Sequence, residues 1–388
     1  MIKTITLKRG REISVRRRHP WIFSGGIHHI EDGIENGDPI KIKDHKDNIL
    51  GVGHYHEGSI TARILSFEDI DMNELFWNEQ FLKAYNLRQS IDIVKNAQTN
   101  CYRLINAEGD GFSGLIVDIY GSAAVVQCHT VGMYKNIKSI STAIQKIYGS
   151  GVDTIYDKNK LSSDYGHRFI LGTKEEAVVS ENGLNFKVNW VHGQKTGFFL
   201  DQRMNRKLLG TYIKGKSVLN TFCYTGGFSV YAQGAGATKV DSIDASSTAI
   251  GLTTENMDIN KISHDCERTE VVADVMDYLK ESTTEYDILI VDPPAFAKSQ
   301  RKRHNAVQAY KRLNVSAFKR VKPGGLIFTF SCSQVVSRSL FTDTIRAAAI
   351  ESGRSIQIIH YLSQPADHPS NIYHPEGSYL KGLVLKIT

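Results

Sequence analysis

The chain has 388 residues, 41% of them hydrophobic and 23% charged, which is enough for two or three buried cores and excludes a disordered chain. No apolar run approaches the roughly 20 residues of a membrane helix, and the N-terminus alternates apolar and polar residues instead of forming a signal peptide, so a cytoplasmic protein is expected. Five scattered cysteines, never spaced as C-x-x-C, argue against a disulfide framework and a structural zinc site, and no metal is expected.

In chain order, residues 1–72 read as short strands separated by turn signals such as Glu31-Asp32-Gly33 and Asn36-Gly37-Asp38-Pro39, the pattern of a small all-β module. The cluster Arg16-Arg17-Arg18-His19 lies within it. The net charge is +6, and this cluster together with Lys298 to Arg303 is placed for phosphate contacts. Asn73 is a candidate helix cap, with the helix running to about residue 93. Residues 73–176 then carry strand-like runs at 114–120 and 123–128 and a helix near 134–148, an α+β domain. A hairpin over 177–190, turning at Asn182-Gly183, opens the third region, 177–388. There, apolar strands at 217–221, 239–243, 270–273, 287–291 and 326–330 alternate with helical stretches, which predicts a parallel sheet covered on both faces.

Ligands of such sheets sit beyond the carboxyl ends of the strands. The first strand runs into Asn220-Thr221-Phe222-Cys223-Tyr224-Thr225-Gly226-Gly227, whose glycines permit a tight turn close to a ligand. Neither the G-x-G-x-x-G fingerprint nor the P-loop is present. Acids gather at the strand ends instead: Asp244, Asp274 and Asp292, with Asp201 upstream. That favours a cationic ligand without phosphates, and S-adenosylmethionine is one. Asp244 lies roughly 20 residues past the glycines, where an acid can accept from ribose hydroxyls, and Asp274 is placed to accept from the adenine amine. Each acid alone could equally be a helix cap.

Tyr286 to Val291 runs into Asp292-Pro293-Pro294-Ala295-Phe296, where the prolines hold Asp292 rigidly. A second strand ends in Ser331-Cys332-Ser333. If the two strands are neighbours, a carboxylate and a thiol project from adjacent ends and can touch one planar base. A thiol there has a specific use. Carbon 5 of a pyrimidine becomes nucleophilic enough to take a methyl group once a thiolate has added at carbon 6.

These stretches as a set resemble the bacterial ribosomal RNA large subunit methyltransferase I family, which makes 5-methylcytosine in 23S-type ribosomal RNA. The matching segments are His19-Pro20-Trp21-Ile22-Phe23, Lys195 to Arg203, Thr221 to Phe228, Asp292 to Phe296, Phe330 to Ser333, Ala366-Asp367-His368-Pro369, and Pro375-Glu376-Gly377-Ser378-Tyr379-Leu380-Lys381-Gly382. The resemblance implies an N-terminal all-β PUA-type RNA-binding domain, a central α+β domain and a C-terminal Rossmann-like α/β class I methyltransferase domain. It implies Cys332 as nucleophile with Asp292 beside it. Cofactor contacts are expected from Asp201, Gln202, Arg203, Asn220, Phe222, Tyr224, Thr225, Gly226, Asp244, Ala245, Asp274, Val275, Asp292 and Pro293. RNA contacts are expected from Arg16, Arg17, Arg18, Trp21 and Lys298, with Trp21 equally suited to a core. Many RNA 5-methylcytosine enzymes carry a second cysteine beside the proline of the Asp-Pro motif, and this chain has none there. Two other readings stay open: methylation of an exocyclic amine of guanine or adenine, which needs no thiol, and an RNA-binding or assembly protein that keeps the fold without catalysis. Homodimer formation is left open as well.

Overall fold

The computed structural model describes residues 2–159, 161, 165–262 and 264–388. It divides into two compact units, the first made of Met1–Val179, Val188–Phe198 and Ala366–Gly377, the second of Ser180–Lys187, Phe199–Pro365 and Ser378–Thr388.

The first unit begins with β1 (Lys3–Leu7), a short helix α1 (Glu12–Arg16), and the strands β2 (Trp21–Phe23), β3 (Ile27–Ile30), β4 (Pro39–Lys43), β5 (Ile49–Tyr55) and β6 (Ile60–Ser66). The strands form one sheet in the order β2-β6-β5-β4-β1-β3. Alternation fixes which face is dry: Ile5 and Leu7, Ile40 and Ile42, Ala62 and Ile64 all point into one core with Val15 and Ile22. The region is therefore β except for α1, at whose end Arg16 stands, and a 3-10 turn at Ser24–Gly26.

The same unit continues through α2 (Glu74–Ser90), β7 (Cys101–Asn106), β8 (Leu115–Tyr120), β9 (Ala123–Cys128), α3 (Val131–Lys135), α4 (Ile137–Tyr148), β10 (Thr154–Asp157) and β11 (Arg168–Leu171). Asn73 caps α2 as expected, its side chain accepting from the Phe76 amide at 3.1 Å. Two largely buried ion pairs organise this part. Arg103 makes a bidentate pair with Asp118, at 2.7 and 2.8 Å, and Thr196 donates to the same carboxylate at 2.6 Å. Arg88 pairs with Asp110 and donates to the carbonyls of Arg103, at 2.8 Å, and Asp367, at 2.7 Å. The Asp367 carboxylate in turn accepts from the Arg103 amide at 3.0 Å. Segments far away in sequence, around Thr196 and Asp367, are thus part of the first unit because they satisfy its buried charges. Gly109 allows this approach, since a Cβ there would lie 1.9 Å from the Pro369 carbonyl oxygen.

The hairpin β12 (Glu176–Glu181) and β13 (Leu184–Asn189) forms a separate two-stranded sheet. In the second unit, α5 (Arg203–Gly210), β14 (Ser217–Thr221), α6 (Gly227–Gly234), β15 (Lys239–Asp244), α7 (Ser247–Asp258), β16 (Glu267–Val272), α8 (Val275–Glu281), β17 (Tyr286–Val291), α9 (Arg303–Phe318), β18 (Val321–Ser331), α10 (Arg338–Ser352), β19 (Ile356–Leu362) and β20 (Lys381–Ile387) follow. The sheet order is β16-β15-β14-β17-β18-β20-β19, with β20 antiparallel to both its neighbours and the rest parallel. The parallel sheet is as the apolar runs predict, but four strands differ from that reading, and β20 is one of them, an antiparallel strand outside the five runs. Strand β16 starts at Glu267, since an edge strand tolerates polar residues such as Arg268 and Glu270. Strand β18 starts at Val321 and holds Pro323-Gly324-Gly325 as a bulge, where the ladder jumps from Tyr286↔Val321 to Ile288↔Leu326. The edge strand β19, half-exposed, lacks the apolar continuity that reveals its neighbours.

Replacing Arg88 with methionine strips a dry carboxylate of its cation. Urea unfolding of the full chain should then show the first unit destabilised by about 3–5 kcal/mol, and an unchanged transition midpoint would contradict the assigned role.

Candidate active site

Parallel pairing brings the carboxyl ends of four strands to one rim. Thr221 is level with Ile243 of β15 and with Val291 of β17, and Val291 is level with Thr329 of β18. Strand order reverses at β14 and β17, the switch point where open α/β sheets bind ligands. The residues leaving the rim are Phe222 to Gly226, Asp244, Asp292 and Cys332.

The loop after β14 is held in a strained conformation. Phe222 and Tyr224 have φ of 56° and 49°, and Gly226 has φ of 74°. Left-handed backbone at two non-glycine residues persists only where the surroundings impose it, and it clusters at ligand sites. Here the Tyr224 amide donates to Asp244 Oδ2 at 2.9 Å and the Tyr224 ring packs edge-on against Phe199. Asp244 Oδ1 accepts from the Ser246 amide at 3.0 Å. Each oxygen keeps a further lone pair for a hydroxyl donor. Asp274 is exposed and caps α8, with Oδ1 accepting from Met276 and Asp277 at 2.8 and 3.2 Å. It is thus both a cap and an acid at the rim. Ala245 is exposed beside Asp244, and Thr225 is buried, its carbonyl accepting from Asn256 at 2.8 Å. Two expected contact residues turn elsewhere: the Asn220 amide donates to Ser229 Oγ at 2.9 Å inside the unit, and the Val275 side chain joins the core. The acid acceptors and the tight glycine turn fit a cationic nucleoside carrying ribose hydroxyls and an amine.

On the reacting side, Asp292 Oδ2 accepts from Gln202 Nε2 at 2.9 Å, and the other end of that amide accepts from Asn205 at 2.6 Å. Asp201 accepts from the Tyr379 hydroxyl at 2.7 Å. Arg203 is buried at the start of α5, and Pro293 is buried behind Asp292. Cys332 is partly exposed. Ser333 donates to the Ala297 carbonyl at 2.7 Å, tying the loop after β18 to the loop after the Asp-Pro-Pro turn. Burial pushes the Tyr310 phenol above its ordinary value, and Cys332 and Asp292 both push it the same way, so thiol and carboxylate lie within electrostatic reach of one phenol. Cys223 offers a contrast at the same rim: burial pushes its thiol up to about 12, which keeps it protonated. One residue escaped the sequence reading. Lys381, on β20, is buried against this rim with its ammonium on the carbonyls of Ser333 and Val336. Its stretch contributes to the resemblance, but a lone lysine in a strand carries no signal of its own.

A family model described as S-adenosylmethionine-dependent methyltransferase matches residues 134–385, and a PUA-like domain model matches 5–67. Over the full length of both chains, the sequence is 36% identical to proteins named ribosomal RNA large subunit methyltransferase I from Vibrio vulnificus and Pseudoalteromonas atlantica. The chain belongs to the ribosomal RNA large subunit methyltransferase I family. Its fold is shared, over the whole of each chain, with a structure described as a SAM-dependent methyltransferase from Streptococcus mutans (24% identity, TM-score 0.85) and with a methyltransferase structure in complex with SAH (23%, 0.84). The protein is accordingly an S-adenosylmethionine-dependent methyltransferase with an N-terminal PUA-like domain.

In this family member the expected RNA-facing residues are unevenly placed. Arg17, Arg18 and Lys298 are exposed, and Arg16, also exposed, reaches Asp44 at 2.9 Å. Trp21 is half-buried: its indole donates to Glu108 at 2.9 Å, the Arg63 guanidinium lies 5.1 Å from its ring, and His374 meets it edge-on at 4.3 Å. That surrounds Trp21 with partners inside the first unit, whereas Phe23, on the same strand, is exposed.

A methyl group added at Gly226 would sit 2.6 Å from Thr253 Cγ2 and would also face a positive φ. Gly226→Ala should therefore cost roughly 1–3 kcal/mol of loop placement, seen as weaker S-adenosylmethionine binding in calorimetry. Unaltered affinity would show that the turn does not shape the cofactor pocket.

Proposed function

We propose that the protein methylates carbon 5 of a cytosine in large-subunit ribosomal RNA, with Cys332 as the covalent nucleophile. The observation that carries this is a partly exposed thiol at the end of β18, next to the strand that ends in Asp292. Bound at the rim, S-adenosylmethionine supplies an electrophilic methyl group. Asp244 accepts from its ribose, Asp274 accepts from its adenine amine, and the Phe222–Gly226 turn encloses it, with Asp201, Gln202, Arg203, Ala245, Thr225 and Pro293 lining the remainder. Asn220 and Val275 contribute through the path of their backbone at the rim, since their side chains are engaged elsewhere.

Cys332 adds as thiolate to carbon 6 of the base, forming an S–C6 bond and placing the displaced electron pair at carbon 5, which takes the methyl group as the sulfonium S–CH3 bond breaks and S-adenosylhomocysteine leaves. Loss of the carbon 5 proton to solvent restores the C5–C6 double bond and breaks the S–C6 bond, regenerating the thiolate. Asp292, held by Gln202, orients the base through its amine or ring nitrogen. The target base is unstacked into the pocket at a cost of a few kcal/mol. Arg16, Arg17, Arg18 and Lys298 serve the phosphates, while Trp21 supports the RNA-facing edge from within. The chain works as a PUA-type domain over 1–72, a central domain over 73–176 and a methyltransferase domain over 177–388, acting in the cytoplasm where ribosomes are assembled.

Exocyclic-amine methylation has less support. Phe296, the aromatic nearest the Asp-Pro-Pro turn, packs on Tyr310 with ring centres 4.7 Å apart, so it is engaged by the core instead of being presented to a base.

Cys332→Ala should abolish methyl transfer to unmodified ribosomal RNA while S-adenosylmethionine binding stays at the wild-type level. Nucleoside mass spectrometry of the wild-type product should show 5-methylcytosine. Retained turnover in the variant removes the covalent step, and a methylated guanine or adenine removes the cytosine assignment.

A further inference from the structure

Lys381 is a buried cation without a carboxylate partner among the described residues. Its Cα pairs with Ser331 in the antiparallel ladder between β18 and β20, and its Nζ donates to the carbonyls of Ser333 at 2.6 Å and Val336 at 2.8 Å. Cys332 thus lies between the residue Lys381 pairs with and one it hydrogen-bonds. The residue is 4% exposed, and no acid forms an ion pair with it among the described residues. Two carbonyls occupy two of the three N–H donors of an ammonium but bring no negative charge. A buried charge is normally retained only when paired, and the ionisable group that draws Lys381 toward its charged form is Cys332.

The geometry points to Lys381 as the residue that compensates the charge of Cys332 and so holds it as a thiolate, an inference that rests on Cys332 being the nucleophile. Lys381 touches neither base nor cofactor in this role and acts through the sulfur. The other charged and titratable groups around the site are Asp292, after β17, Tyr310, on α9, and Arg338, on α10. Cys332 and Asp292 both lie within electrostatic reach of Tyr310, which burial keeps as a neutral phenol, and Arg338 lies within reach of Lys381. Burial brings the Lys381 ammonium down to about 8, with Cys332 opposing that fall and Arg338 adding to it. The lysine is therefore still protonated near neutral pH, where an ordinary thiol with a pKa of about 8.5 is only a few per cent ionised. Above about 8 the lysine loses its proton and the compensation fades.

The test is the pH dependence of Cys332 alkylation by iodoacetamide in the full-length protein, with Cys332→Ala as the blank that identifies the modified peptide. In the reaction the thiolate sulfur displaces iodide and the thiol proton goes to buffer. Lys381→Gln keeps amide donors for the two carbonyls and removes the charge; Lys381→Met removes both. Circular dichroism and S-adenosylmethionine titration check that each variant is folded, and if the methionine variant is not, the glutamine variant carries the test. The expected result is a profile displaced upward by about one pH unit in the variants, with alkylation at pH 7 slowed roughly tenfold. Methylation by Lys381→Gln should show a similar fall in kcat with KM little changed, recovering as the pH is raised. A glutamine variant whose alkylation profile coincides with the wild type would overturn the proposal and reduce Lys381 to a hydrogen-bonding strut. Alkylation reads the thiol whether or not methyl transfer uses it, so this failure is distinct from a Cys332→Ala enzyme that still methylates.

Discussion

Everything at the rim depends on the register of one parallel ladder. Because β14 pairs with β15 on one side and β17 on the other, and β17 with β18, the last residues of four strands arrive at the same level. Adjacent strands lie roughly 5 Å apart, so residues distant in the chain become neighbours without a dedicated contact between them. A slip of one residue in β18 would turn Cys332 to the opposite face of the sheet. The bulge at Pro323-Gly324-Gly325 absorbs the extra chain length upstream, which leaves the paired stretch from Leu326 onward in register with β17.

Around that ladder, polar side chains are fixed by one another in short chains. Asn205 holds Gln202, which holds Asp292; Tyr379 holds Asp201; Ser333 ties the two reacting loops together. Such networks restrict rotamers and set the direction of a carboxylate before any ligand arrives, the condition for a preorganised site. The buried Arg206–Glu181 pair, bidentate at 2.9 and 2.8 Å and joined by the Tyr231 hydroxyl at 3.0 Å, anchors the hairpin turn to α5 in the same unit. In the first unit, Arg88 and Arg103 do comparable work by gathering segments from three parts of the sequence.

Much of the methyltransferase sheet was legible from the pattern of apolar runs. Five apolar runs with glycine or acid at their ends could only be strands covered on both faces, and Asp244, Asp274 and Asp292 announced a rim with acceptors. The edge strand β19 and the true start of β16 were not legible, since a strand with one open side obeys no apolar rule. For side-chain roles the sequence reading was weaker. Asn220 stands in the expected stretch, yet its amide is turned to Ser229; Trp21 sits in a stretch of aromatic and basic residues, yet its indole is engaged by Glu108 and His374. Position along the chain gives the strand end, whereas rotamer and partner follow from packing.

The sequence by itself determined the alternation of the five parallel strands with helices, the turn at Gly226, the acid at the end of each cofactor-side strand and the family to which the chain is similar. These are local: they depend on periodicity, on proline and glycine, and on residue types at fixed spacing. Only the tertiary structure decided that Lys381 reaches the Ser333 carbonyl next to Cys332, that Tyr379 reaches Asp201, and that Thr196 and Asp367 serve the first unit. Those placements join residues 48, 178, 78 and 264 positions apart. No local rule reaches that far, because the free energy that selects them is the satisfaction of buried charges and donors, which exists only once the chain has closed around them.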